Sequence, residues 1–216
     1  MLELGPYRTA TDIAYTDELP QPSEVRPPRS LMERYKPHPE WFLRQGTELD
    51  AVHLSDHLAR VWIWQEHLAN WIEDQGYTVN REALRWFASV HDTQRADDLD
   101  DLEHGERAAW WASVHLIDVV DSETLEELMY LCRAHVIHDG DQPQLTLAAM
   151  IAKDADALDR ARGCDDLDPR YLRLPVSHAL IEPARELYFA YLAHEAVDPW
   201  DAVMDAAMHR GLLSTG

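Results

Sequence analysis

Four groups of side chains in this sequence have the types and spacing for metal or phosphate chemistry. His53 and His57 stand four residues apart and Arg60 lies seven beyond His53, so at about 100° per residue all three share one helix face. Imidazoles so placed can face a common pocket in which Arg60 could meet a phosphate, although a solvated polar stripe has the same spacing. His91-Asp92 ends an apolar run, Leu84–Val90, and sets an imidazole beside a carboxylate. Such nitrogen and oxygen donors suit Mn, Fe, Co, Ni or Zn, and the plainer alternative is a histidine answering a helix dipole. Asp154 and Asp156 interrupt an apolar helix, where a carboxylate is costly to bury unless paired or metal-bound. They point about 200° apart, so one surface stripe does not hold both, and periodicity leaves open which of them faces a site. His104 shares a stripe with Ala108, Trp111 and His115, while His135 follows Leu128 and Leu131. Taken singly, each of these histidines also suits a packed core.

Helices must position these groups. Thr47 can cap a long helix to about Gln75, with Gly76 as its stop and a stripe through Leu49, Val52, Val61, Leu68 and Ile72. Asn80 can cap a second helix that runs through Leu84, Phe87 and Val90 into His91-Asp92. An acidic loop, Ala96–Glu103, precedes a third helix from about His104 to Val119. Asp121 or Ser122 caps a fourth, carrying Leu125, Leu128, Leu131 and His135 and ended by Gly140 and Pro143. A fifth spans roughly Leu145–Arg162, and two more are expected at about Pro183–Ala193 and from Asp198, with Pro199 in its first turn and Gly211 after it. No segment alternates with period two between hairpin turns. The expected fold is all-α. Residues 1–46 form a Pro-rich N-terminal arm with a short helix around Leu31–Tyr35, and 47–216 one compact domain of six or seven helices. Within it, 47–162 carry the motifs and 163–216 the C-terminal helices.

Composition narrows the function classes. The 216 residues carry 19 Lys+Arg against 40 Asp+Glu, a formal charge of −21, which repels phosphate backbones and anionic lipid. A nucleic-acid polymer and a membrane surface are therefore not the expected partners. Hydrophobic residues make up 46% and include eight Trp, enough for a real core, and the tryptophans leave room for a homodimer. Two cysteines, Cys132 and Cys164, build no disulfide framework and suit a reducing compartment. The first residues lack a basic stretch followed by an apolar core, so a cytoplasmic protein is expected. Zinc-finger spacings and glycine-rich phosphate loops are absent from the sequence.

The order of motifs resembles the HD-domain superfamily of metal-dependent phosphohydrolases. The matching stretches are His53-Leu-Ser-Asp-His57-Leu-Ala-Arg60-Val61, Phe87-Ala-Ser-Val-His91-Asp92 and Ala155-Asp156-Ala157-Leu158-Asp159. Asp101-Leu-Glu-His104-Gly105 is similar to a His-Gly segment of bacterial HD proteins, and His135 falls where members with two metals place a further histidine. The likeness covers about 47–162. Thr93-Gln94-Arg95 departs from the Ile-Gly-Arg of many members, and neither the arm nor the stretch after Arg162 matches.

The resemblance implies that His57, His91, Asp92 and Asp156 hold one divalent ion (Fe, Mn, Ni, Co or Zn). It favours Asp156 over Asp154 through the family's Ala-Asp-x-Leu context. Asp92 would be shared with a second ion held by His104 and His135, and Arg60 and Arg95 are the nearest phosphate partners. The implied activity is hydrolysis of a small phosphorylated substrate, a nucleotide among the candidates, by a metal-activated water. Some members with a similar ligand set use two irons to cleave C–C or C–P bonds with dioxygen, which makes an oxygenase the alternative. A non-catalytic binding module with a structural metal is the third.

Overall fold

The computed structural model describes residues 19–44, 55–97, 101–141, 145–162, 167–194 and 198–215. The described residues are all-helical, with eight α-helices, α1 (Arg29–Met32), α2 (Ser55–Asp74), α3 (Arg81–Val90), α4 (His104–His115), α5 (Ser122–Ala134), α6 (Leu147–Leu158), α7 (Pro175–Leu192) and α8 (Pro199–His209). Seven of them, α2 to α8, fall within 47–216, where six or seven were expected, and α1 overlaps the short arm helix expected around Leu31–Tyr35. Thr47, His53 and the proposed start of the long helix lie outside the described residues, as does Cys164.

Several helices begin where their sequence says they should. The Asn80 side chain accepts the Ala83 N–H, Asp121 accepts that of Thr124, and Asp198 accepts that of Asp201 behind Pro199 at the first turn. Gly76 and Gly211 close α2 and α8 with φ of 82° and 69°, a conformation that side chains strain. Several boundaries differ from expectation, among them the end of α4 at His115 rather than Val119 and that of α6 at Leu158 rather than Arg162. The fourth helix, α5, ends at Ala134 rather than near Gly140. The expected helix from Pro183 instead starts at Pro175 and contains Pro183 within it. Its start signal is remote: Asp154 of α6 accepts the backbone N–H groups of Arg173 and Leu174 at 2.9 and 2.8 Å and the Ser177 hydroxyl at 2.6 Å. A carboxylate at a helix N-terminus satisfies orphan donors and meets the positive end of the dipole, whichever element it comes from.

The long helix α2 is not amphipathic but central, with every residue from Asp56 to Ile72 buried. It packs against α3, α6, α7 and α8, while α5 lies against α3 and α4. In a helix covered on all sides a buried polar residue is costly unless it finds a partner; the Gln65 amide has none among the described residues, and most of the others do. Glu66 meets Arg81 and Arg85, Asn70 meets Arg81 and the Val25 carbonyl, and His67 meets the Leu212 carbonyl. The arm segment is part of this packing. Met32 and Tyr35 are buried, and the Tyr35 ring lies edge-on to Trp86 at 5.1 Å. Leu43 N–H donates to the Thr93 carbonyl at 2.8 Å, so the arm braces the turn that follows His91-Asp92. Of the eight tryptophans only Trp110 is exposed. No helix among the described residues is long and apolar enough to cross a membrane.

Candidate metal centre

Five helices bring six ligand-type residues to one place. His57 comes from the first turns of α2, and His91-Asp92 from the C-terminal end of α3. His104 is the first residue of α4, His135 follows the last residue of α5, and Asp156 lies near the end of α6. His57, His91 and Asp92 form one group with converging ligand atoms, and Asp92, His104 and His135 form another.

The two groups meet on Asp92. Its Oδ2 lies 3.6 Å from His57 Nε2, while its Oδ1 lies 3.1 Å from His104 Nε2 and 3.6 Å from His135 Nε2. Asp156 Oδ1 closes the first group, 3.5 Å from His57 Nε2 and 3.8 Å from His91 Nε2. Asp154 does not enter it, being fully buried and committed to α7 and Arg173. The tertiary structure thus separates two aspartates that periodicity left equivalent.

The opposite ring nitrogens explain why these imidazoles aim inward. His91 Nδ1 donates to the Phe87 carbonyl at 3.2 Å and His135 Nδ1 to the Cys132 carbonyl at 2.7 Å. His104 Nδ1 donates to the Asp101 carbonyl, and His57 Nδ1 to the Asp159 carboxylate at 2.8 Å. A carbonyl only accepts, so each Nδ1 carries a proton, and the neutral form of each ring presents an Nε2 lone pair. His57 and His91 Nε2 then face each other at 3.3 Å, and His104 and His135 Nε2 at 2.8 Å. Two lone pairs that close repel unless a cation, either a proton shared as an N–H···N hydrogen bond or a metal ion, lies between them. The donor set therefore fits divalent metal: four neutral imidazoles and two carboxylates, with the outer nitrogens hydrogen-bonded as metal-binding histidines require.

Electrostatics point the same way. Burial disfavours the ionised carboxyl of Asp156, but His91, Arg160 and His57 outweigh it and hold the group well below the ordinary carboxylate range. Burial likewise opposes a charged His91, yet Asp92 and Asp156 raise its affinity for a proton. His135 is pushed down, chiefly by burial. The cluster attracts positive charge at the first group more strongly than at the second.

The expected arginines sit differently. Arg95 lies at the edge of the second group, its Nη1 3.5 Å from Asp92 Oδ1 and 3.3 Å from His104 Nε2. Arg60 is enclosed: its guanidinium donates to Asp159 and, at 2.9 Å, to Asp56, and it lies over the Tyr188 and Tyr191 rings at 5.3 and 5.0 Å. A guanidinium so surrounded does not face a phosphate, which replaces the contact expected from helix spacing. Asp159, which meets both Arg60 and His57, is the residue that motif spacing passed over. Its signal was that a buried Arg60 takes a second partner beyond Asp56 on its own helix, which no local window supplies. Asp156, with a side chain 19% exposed, and Arg95, at 14%, mark the accessible edge of a cluster whose other members are almost fully enclosed.

No protein-family model matches the chain, and neither a curated protein nor a solved structure matches it.

Proposed function

We propose that this chain is a metal-dependent hydrolase of small phosphate esters, built on the HD-type ligand order that its sequence resembles. One observation carries it: four imidazoles with their Nδ1 protons committed elsewhere turn their Nε2 atoms, with Asp92 between them, toward two adjoining positions. Divalent ions bound there supply Lewis acidity and lower the pKa of water, the two things phosphoryl transfer to water needs near neutral pH. His57, His91, Asp92 and Asp156 would hold one ion, and Asp92, His104 and His135 a second.

The chain's own side chains do the rest. Arg95 stands on the accessible edge, where it can neutralise and orient a phosphoryl oxygen. Arg160, 3.7 Å from Asp156 and largely exposed, is a second cation on that edge. Together they offset locally the acidic character of the whole chain, which otherwise slows capture of anions. The wall of Phe87, stacked on His91 at 4.7 Å, keeps solvent from the back of the cluster.

Metal content of protein purified without added metal, followed by a panel of phosphomonoesters, nucleotides and cyclic nucleotides, tests this function. Hydrolysis that disappears together with the metal in His91→Ala is the expected result. A fully loaded protein inactive on the whole panel overturns it. The second reading is a diiron oxygenase, which the same six nitrogen and oxygen donors would also serve. Iron-dependent oxygen uptake with a candidate substrate would decide for it.

A further inference from the structure

Three of the four inward-facing histidines are held from behind by backbone carbonyls, and His57 alone by a carboxylate. That carboxylate, Asp159, caps the end of α6 and is itself gripped. Arg60 reaches both of its oxygens, and Arg162 Nη2 lies 3.0 Å from Oδ2. Burial works against its ionisation, but Arg60 and His57 outweigh burial and hold it anionic. Arg60 is clamped in turn by Asp56 and by the Tyr188 and Tyr191 faces of α7.

We propose that Asp159 is a positioning residue that sets His57 as an Nε2 donor, with Arg60 fixing the carboxylate's orientation. The inference rests on the metal reading of the site and adds an order to it. The His57 position gathers four donors, His57, His91, Asp92 and Asp156, with Asp159 behind the ring; Asp156 also faces Arg160, and Asp159 faces Arg60 and Arg162. The His104 position has Asp92 as its carboxylate and the guanidinium of Arg95 beside it. A carboxylate behind a ligating imidazole orients it toward a metal, and an ion is held more tightly by four donors than by the three at His104, His135 and Asp92. The two positions are therefore unequal: the one at His57 fills first and holds its ion more tightly.

The clamp spans α2, α6 and α7, and its central link joins residues 102 apart in the chain. An ion pair kept only for stability would serve as well with its outer oxygen turned anywhere. Here that oxygen also receives the His57 Nδ1–H.

The test uses the full chain, stripped by chelator and titrated with Co(II), with visible absorption and bound stoichiometry as readouts. Wild type is expected to take up two ions in two resolved steps. Asp159→Asn keeps an acceptor for Nδ1 but no charge, and should weaken the tighter step about 10–100-fold while sparing the weaker one. Asp159→Ala strands a buried guanidinium and can unfold the chain, so the paired variant Asp159→Ala with Arg60→Met removes both charges and keeps the stem under the tyrosines. Ring nitrogen NMR of the metal-free protein adds a readout that mere packing does not move. His57 should be the Nδ1–H tautomer in wild type and a mixture in the paired variant. If wild type binds two ions and both variants match it in affinity, spectrum and tautomer, the clamp is refuted while the metal site stands. If wild type binds no cobalt but its tautomer still depends on Asp159, the clamp stands and the metal reading falls.

Discussion

Gly105 of α4 lies so close to the carbonyl oxygen of Cys132 on α5 that a Cβ at position 105 would overlap it, with a Val136 methyl 3.0 Å away on the other side. That same carbonyl accepts the Nδ1–H of His135, and His104 is the residue before Gly105. The close approach of two helices thus brings two histidines together and orients one of them. Gly105→Ala should overpack this contact, lower stability by about 1–3 kcal/mol and weaken the metal position at His104 and His135 more than the one at His57. Denaturant melts together with metal titration check it. A variant with unchanged stoichiometry and affinity would separate the helix contact from the site.

In the proposed two-ion site Asp92 would be the shared donor, so its loss should be felt twice. Asp92→Ala is expected to empty both positions, whereas His135→Ala should reduce bound metal from two ions to one. Elemental analysis of the purified variants reads this directly. Equal losses in the two variants would mean that Asp92 serves only one ion.

Metal should also stabilise the fold. The ligands come from α2, α3, α4, α5 and α6, and the unfolded chain does not gather them, so an ion at about 100 times its Kd adds about 2.7 kcal/mol. Chelation is expected to lower Tm by several degrees, and readdition to restore it. A melting curve indifferent to chelator would argue against tight binding.

The two neighbouring aspartates of α6 should behave oppositely. Asp154→Ala removes the acceptor of the Arg173, Leu174 and Ser177 donors and should destabilise by about 3–5 kcal/mol, with bound metal per folded chain unchanged. Asp156→Ala should lose metal at the His57 position and destabilise the metal-free protein less than Asp154→Ala does. Thermal melts of stripped protein beside metal stoichiometry distinguish them.

Acid should act through His67. Burial holds its imidazole down to about 4, outweighing the bond to the Leu212 carbonyl, with Arg26 adding to the effect. The unfolded chain keeps the ordinary value of 6.5, so between there and about 4 it binds a proton that the folded chain refuses. Stability from this group is complete above pH 6.5 and is lost as pH falls toward 4. The Tm difference between wild type and His67→Gln should therefore narrow as pH is lowered from 7 to 4.5 (values chosen to bracket the window). A difference constant across that range would remove His67 from the acid response.

What could be read along the chain was what the chain decides locally. Asn80, Asp121 and Asp198 cap helices because their side chains reach an N–H three residues on, and Gly211 ends α8 because its φ is positive. All-α character follows from such signals together with the lack of period-two alternation. The histidines and aspartates were visible as candidates for the same reason: their types and intervals are local facts.

The decisions that make them a site belong to the tertiary structure. Asp154 and Asp156 differ by one turn direction on α6, and only the packing of α7 against α6 assigns one to a helix cap and the other to the imidazoles. Arg60 has the spacing of a phosphate contact, yet Asp159, 99 residues away, turns it inward. The start of α7 is likewise written on another helix, in Asp154. Local hydrogen bonds are encoded within a few residues, whereas a buried charge must be matched by whichever group the fold brings beside it. The sequence by itself determined which helices form and which residues could bind a metal. Only the folded chain decided which of them meet, because burial demands partners across separations that no local pattern records.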